Sequence, residues 1–206
     1  MTRRAVALLL TGPPATAARP AGTDPAAFAG AMAEDVADLL ADLASVEPVV
    51  VASPARAAEA RTLVASPDHV LVPPADRGLP GAWAALERRG FDVAAVVAPD
   101  VPDLPGLVLA KTLSAMRSRP VAVAPAGGGG LVVLTCRLPA PGWLVATGVG
   151  LDTPDAVGRL RAATPRRTDL ECTPGWHRLR HPGDVERLDP GLEGWEATRR
   201  VLAADA

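Results

Sequence analysis

Two aspartates, Asp100 and Asp103, stand directly behind the most apolar run of the chain and are held among Pro99, Pro102 and Pro105. Proline fixes φ, so this loop has little conformational freedom. A rigid pair of carboxylates at the end of a buried strand suits Mg2+ or Mn2+ bound through one or two oxygens together with substrate phosphates. The competing reading has Asp103 capping the helix behind Pro105 while Asp100 meets solvent. Residues 127–130 are four consecutive glycines between two expected strands, where glycine supplies positive φ in a hairpin turn or lets a ligand approach the backbone. The run is neither Gly-x-Gly-x-x-Gly nor a Walker loop, which favours the hairpin.

Other reactive types carry less. His177 and His181 are four apart, a spacing that aligns two metal ligands only on a helix, and Pro174, Gly175, Pro182 and Gly183 bracket the segment and predict an extended one. A solvated basic strand is the first expectation for it, with Arg178 or Arg180 facing an anion as the functional alternative. Cys136 and Cys172 show neither CxxC spacing nor a nucleophile motif, and no Gly-x-Ser-x-Gly elbow occurs, so Ser- or Cys-based hydrolysis is not indicated. Glu34, Asp35, Asp38 and Asp42 read as the solvated face of a helix. Trp143, Trp176 and Trp195 could stack on a base or sugar, but burial against a sheet is their default.

The elements that must position these groups follow from periodicity. Residues 5–10 form a short apolar run closed by Thr11-Gly12-Pro13-Pro14, the pattern of a buried strand entering a loop. Arg3-Arg4, this run and the Ala-Thr-Ala stretch at 15–17 mimic the order of a signal peptide, yet the run is short for one and an internal strand accounts for it. Asp24 caps and Pro25 opens a helix with Phe28, Met32, Val36, Leu39, Leu40 and Leu43 at helical spacing. Strands are expected at 49–52, 70–72, 93–98, 121–124, 131–136 and 169–172. Helices are expected at 53–63, 81–89, 106–116, 154–163 and 193–204, that at 106–116 with Leu107, Leu109, Leu113 and Met116 on its buried side and that at 154–163 capped by Asp152 or Thr153. This alternation predicts a three-layer α/β/α fold with a mostly parallel sheet, whose ligands bind at the carboxyl ends of the strands. That rule points to the loops after Leu10, Ala98 and Ala124.

Composition limits the function classes. With 21 basic and 23 acidic side chains the net charge is -2, which lacks the cationic surplus of a dedicated nucleic-acid binder. No apolar run approaches the roughly 20 residues of a membrane span. Lys111 is the lone lysine among 21 basic residues, and Ile, Asn, Gln and Tyr are absent, the signature of a GC-rich bacterial genome. The arginine bias is therefore discounted as evidence of phosphate recognition. Two cysteines without a disulfide pattern fit a cytoplasmic protein.

Pro99-Asp100-Val101-Pro102-Asp103-Leu104 resembles the G-x-D-x-P-D-L loop of bacterial glycosyltransferase-like proteins of the GT-A fold, a family related to phospholactate guanylyltransferases and arsenosugar-biosynthesis glycosyltransferases. Ala124-Pro125-Ala126-Gly127-Gly128-Gly129-Gly130-Leu131 follows at the right distance and is similar to the family's G-P-A-x-D-G-G-Y. Trp176-His177-Arg178 and the stretch from Asp189 to Glu196 look like the tail of its high-GC members. The resemblance spans almost the whole of residues 1–206 and implies one GT-A domain of nucleotide-diphospho-sugar transferase type. It implies that Asp100 meets the metal and diphosphate of a nucleotide donor, with Asp103 assisting, and that Thr11, Gly12, Arg19, Gly127, Gly128 and Gly129 line the donor site. The chain departs from the family's A-K-x-P-x-P-G-x-x-K-T-R-L loop, where both lysines are missing and only Arg19 could substitute. Gly128 stands at the acidic position and Leu131 at the aromatic one.

The expectation is a glycosyl- or nucleotidyltransferase taking a nucleotide sugar or nucleoside triphosphate with Mg2+ or Mn2+, with no nucleic-acid or membrane partner. Its alternative is a catalytically silent GT-A-like module for binding or partner interaction, which the missing charges favour. A flavodoxin-like or Rossmann-type sheet is the remaining option, to be separated by strand order. Asp100→Ala is expected to abolish metal-dependent donor binding with little loss of stability.

Overall fold

In the computed structural model, which describes residues 2–13, 18–74 and 78–204, β1 (Arg4–Leu10) is the hub of a seven-stranded sheet. It pairs in parallel with β2 (Glu47–Ala52) on one side and β4 (Val93–Val97) on the other. All five residues of β4 are buried, as expected of a central strand covered on both faces. β3 (Val70–Leu71) lies outside β2, while β5 (Val121–Pro125), β6 (Leu131–Arg137) and β7 (Leu170–Cys172) complete the far side. The order is β3-β2-β1-β4-β6-β5-β7, and β6 runs antiparallel to both β4 and β5. That inserted antiparallel strand separates the sheet from the flavodoxin-like and Rossmann-type orders.

The topology brings the loops together. β1, β4 and β5 end, and β6 begins, at the same edge of the sheet, because β6 is antiparallel and the glycine run at 127–130 is its hairpin turn with β5. Gly128 and Gly129 take φ of 92° and 105° there, which only glycine adopts without strain. The segment 173–181 leaves β7, itself parallel to β5, at that edge too. Residues 14–17, and with them the Ala-Thr-Ala stretch, lie outside the described residues.

Helix α1 (Pro25–Ala41) begins as its sequence dictates: the Asp24 carboxylate accepts from the backbone N–H of Ala26 at 2.7 Å and Ala27 at 2.8 Å. Val36 and Leu40 enter the main core between helices and sheet. Phe28 and Met32 instead form a second cluster with Ala18, Leu179, Leu188 and Trp195, so one end of the helix is the floor on which the C-terminal segment rests. The remaining helices are α2 (Ala57–Thr62), α3 (Gly78–Arg88), α4 (Gly106–Ala115), α5 (Gly142–Ala146), α6 (Ala156–Ala163) and α7 (Glu196–Ala204). No helix among the described residues is long and apolar enough to cross a membrane.

Several local expectations are corrected. Leu107 is 63% exposed, because α4 turns Val108, Leu109, Thr112 and Leu113 inward instead. α6 is preceded by Asp155 in the left-handed conformation and not by a cap from Asp152 or Thr153. α7 starts at Glu196, later than periodicity suggests. Asp35, expected in solvent, is buried and accepts from the N–H groups of Ala197 and Thr198, each at 2.8 Å, so a carboxylate of α1 caps the first turn of α7.

Burial raises the Asp35 carboxyl above its ordinary value, only partly offset by the hydrogen bonds from Thr198 and Ala197. The native state therefore holds this proton more tightly than the unfolded chain. The associated stability is fully present below the ordinary carboxylate value and is lost as pH rises through the raised one. Denaturant unfolding across that window should show stability falling more steeply with rising pH in the wild type than in Asp35→Asn. Equal slopes would show that the group does not titrate differently on folding.

Candidate functional site

The loop behind β4 is built by alternation. Val101 and Leu104 point into the core, at 0% and 4% exposure, and the turn closes through a 3.1 Å bond from the Leu104 N–H to the Val101 carbonyl. Asp100 and Asp103 are thereby turned toward the C-terminal segment, and both are also buried, at 2% and 3% exposure. Neither capping of α4 nor free solvent describes them: the cap position of α4 is Pro105, with no side-chain bond. Burial of two carboxylates requires partners.

Those partners arrive along the edge of β5. Thr173 donates its N–H to the Val123 carbonyl at 2.8 Å, Trp176 donates to Pro125 at 3.2 Å, and Gly127 donates to Trp176 at 3.0 Å. Gly175 makes this approach feasible, since a Cβ there would sit 2.0 Å from the Pro125 carbonyl oxygen. Farther on, the Leu179 N–H donates to the Asp100 carbonyl at 2.9 Å while its side chain is buried in the second cluster. The segment is thus stitched across the sheet edge and is not a solvated basic strand.

Arg178 lies between these two anchors and is 5% exposed. Its Nε donates to Asp100 Oδ1 at 2.6 Å and its Nη2 to Asp100 Oδ2 at 3.0 Å, a bidentate pair. Nη1 donates to the carbonyls of Leu131 and Leu151, each at 3.1 Å, and Nη2 also lies 2.9 Å from Asp152 Oδ1. Arg180 Nη2 donates to the same Asp152 oxygen at 2.6 Å, with its Nε 3.7 Å from Asp100 Oδ2. Asp103 Oδ1 accepts from Trp176 Nε1 at 3.1 Å and stands 3.0 Å from His177 Nε2, a buried nitrogen that makes no hydrogen bond among the described residues. Asp103 Oδ2 faces the Asp189 N–H at 3.4 Å. Arg178 and Arg180 do reach the Asp100 loop, but every guanidinium nitrogen of Arg178 is engaged within the protein.

The other sequence-derived residues are near by topology and differently occupied. Thr11 and Gly12 follow β1, next to β4; the Gly12 carbonyl accepts from Arg56 Nη1 at 3.4 Å. Arg56 is buried and paired with Glu59, a residue with no signal in the sequence. Arg19 folds back on its own loop, donating to the Thr23 carbonyl at 3.1 Å. Gly127, Gly128 and Gly129 form the hairpin turn, with no other group within 4 Å of where a side chain would start. An open cleft of about 490 Å³ lies between Pro125, Ala126 and Gly127 on one side and Gly175, Trp176 and His177 on the other, with the exposed Arg187 among its walls. Cys136 takes no part, since burial pushes its thiol up and away from the reactive thiolate.

A divalent metal needs carboxylate oxygens that are free to converge on it. Here both oxygens of Asp100 are taken by Arg178 and those of Asp103 by Trp176 and Asp189, and among the described residues no three His, Cys, Asp or Glu side chains gather to hold an ion. In this arrangement Asp100 and Asp103 do not fit a metal-binding pair.

The architecture is that of nucleotide-diphospho-sugar transferases. A solved structure from Desulfovibrio desulfuricans G20 designated as such a transferase matches with a TM-score of 0.71 at 18% identity, over 98% of this chain and 96% of that one. The 4-diphosphocytidyl-2C-methyl-D-erythritol synthase of Anaerococcus prevotii DSM 20548 matches with a TM-score of 0.60 at 9% identity, over 98% and 96% of the two chains. The manganese complex of Rv0371c from Mycobacterium tuberculosis H37Rv matches with a TM-score of 0.51 at 16% identity, over 98% of both chains. No protein-family model matches the chain, and no curated protein is significantly similar to it in sequence.

Proposed function

We propose that this chain is a nucleotide-binding domain of the GT-A type that does not carry out metal-assisted group transfer. The observation that carries this reading is the buried Asp100–Arg178 pair, which leaves neither a free carboxylate for a cation nor a free Arg178 donor for a diphosphate. The cleft beside it retains binding chemistry: the part-exposed Trp176 can stack on a planar ring, and Arg187 can meet an anion. Its volume falls within the roughly 300–1,000 Å³ usual for small-molecule sites. The ligand class is a nucleoside triphosphate or nucleotide sugar, and two free cysteines suit a cytoplasmic setting.

The second reading is an active glycosyl- or nucleotidyltransferase with Mg2+ or Mn2+ on Asp100 and Asp103, close to the phospholactate guanylyltransferase and arsenosugar branches. The full-length match to a designated transferase and the gathering of the 11–12, 98–105 and 127–130 loops at one sheet edge favour it. It requires Arg178 to withdraw from Asp100.

A thermal-shift panel of nucleoside triphosphates and nucleotide sugars, with and without Mn2+, separates the two, because a ligand at 100 times its dissociation constant adds about 2.7 kcal/mol of stability. The expected result is a shift for one nucleotide class that is independent of Mn2+, diminished in Arg187→Ala, and unaccompanied by product. A Mn2+-dependent shift with turnover would establish the transferase reading. No shift across the panel would reject nucleotide binding altogether.

A further inference from the structure

The environment of Arg178 is that of a bound cation. Its guanidinium is surrounded by oxygens alone: both of Asp100, one of Asp152, and the carbonyls of Leu131 and Leu151, all between 2.6 and 3.1 Å. Carboxylates and backbone carbonyls are the donor set that hard divalent cations also choose. Nη2 bridges Asp100 Oδ2 at 3.0 Å and Asp152 Oδ1 at 2.9 Å, two carboxylates contributed by different loops. The site is built closely, since a Cβ on Gly130 would lie 2.5 Å from the Leu151 carbonyl that supplies one of these oxygens.

We infer that Arg178 is a resident cation, occupying the position between Asp100 and Asp152 that a divalent ion would otherwise take and thereby excluding metal from the domain. A guanidinium stays protonated at any physiological pH, so it does not vacate the position by titration. Nor does it dissociate, because Leu179 beside it is fixed by a 2.9 Å bond to the Asp100 carbonyl and by burial with Phe28 and Met32. A free ion competing for Asp100 would have to displace a tethered one and leave the buried Arg178 with only Asp152, which is 75% exposed at its side chain and shared with Arg180, as its counter-charge. Removal of the guanidinium leaves an oxygen-lined cavity whose two carboxylates, Asp100 and Asp152, face Arg180 alone, and the one net negative charge that results opens the cavity to Mn2+. The inference deepens the metal-free reading above, and its test contains no nucleotide, so the two can fail separately.

Free Mn2+ is followed by electron paramagnetic resonance as protein is added. The wild type should leave the free-ion signal unchanged. Arg178→Ala, shown to be folded by circular dichroism, should remove one equivalent of Mn2+, and Mn2+ should raise its melting temperature but not that of the wild type. Adding Asp152→Ala to it should weaken uptake at least tenfold. If Arg178→Ala does not fold, Arg178→Gln, which keeps most of the stem without the charge, replaces it. Stoichiometric Mn2+ uptake by the wild type that Asp100→Ala abolishes would overturn the inference, as would a folded charge-free variant that takes up none.

Discussion

Replacing Arg178 by alanine is expected to destabilise the protein by about 3–5 kcal/mol, the range for breaking one side of a buried ion pair. For a chain of this size, where 1 kcal/mol shifts the midpoint by about 2–4 °C, the melting temperature should fall by roughly 6–20 °C. The cause is the Asp100 carboxylate, 2% exposed, which would lose both of its guanidinium bonds. Asp100→Ala should also be costly, because it leaves the buried Arg178 with only Asp152, shared with Arg180, as a carboxylate partner; this reverses the sequence-based expectation that the change would leave stability nearly untouched. The double variant Arg178→Ala/Asp100→Ala should be clearly more stable than the sum of the two single changes predicts, because no unpaired charge remains. Arg178→Lys should not rescue, since an ammonium cannot make the fork to both oxygens of Asp100 and reach the Leu131 and Leu151 carbonyls at once. Calorimetry on the wild type and these four variants measures this; additive losses in the double variant would show that the pair contributes little as a pair.

Gly175→Ala should have the next largest effect. The new Cβ would lie 2.0 Å from the Pro125 carbonyl oxygen and 3.0 Å from its carbon, both backbone atoms that cannot rotate away. The segment must lift from β5, which breaks the Trp176 N–H bond to Pro125 and the Gly127 N–H bond to Trp176. Overpacking of this kind costs about 1–3 kcal/mol, with the lost hydrogen bonds in addition. Trp176 would lose its 3.1 Å bond to Asp103, so its fluorescence should change together with stability, and nucleotide binding in the cleft should weaken. Gly128→Ala is the control: φ is 92° but nothing lies within 4 Å, so only the backbone preference of roughly 1 kcal/mol is at stake. Equal effects at the two positions would contradict the close packing assigned to Gly175.

Much of the scaffold was legible because its signals are local. The unbroken apolar run before Pro99 could only be a strand covered on both faces, and Asp24-Pro25 marked the start of α1 within a single turn of chain. The hairpin turn at the four glycines is legible because positive φ is a property of the residue itself. Asp35 and Leu107 depart from the helical pattern for one reason. Helical spacing orders residues around an axis, but the faces that meet neighbours depend on what packs there, and α7 reaches Asp35 from 162 residues away. Asp152, whose carboxylate completes the cage around Arg178, carries in the sequence only the signal of a helix cap: it stands in a turn ahead of α6 and is 75% exposed at its side chain.

The sequence by itself determined the alternation of strands and helices, the sheet edge at which the chemistry-bearing loops gather, and the loop that holds Asp100 and Asp103. These follow from periodicity, proline and glycine geometry, and the rule that parallel strands present their following loops on one side. Only the tertiary structure decided what those carboxylates face. Asp100 and Arg178 are 78 residues apart, and an aspartate in a rigid loop reads the same whether a metal or a guanidinium will neutralise it. Burial makes some counter-charge obligatory, and the path of the segment beyond β7, held by Gly175 against β5 and by Leu179 against α1, is what delivers an arginine to that position.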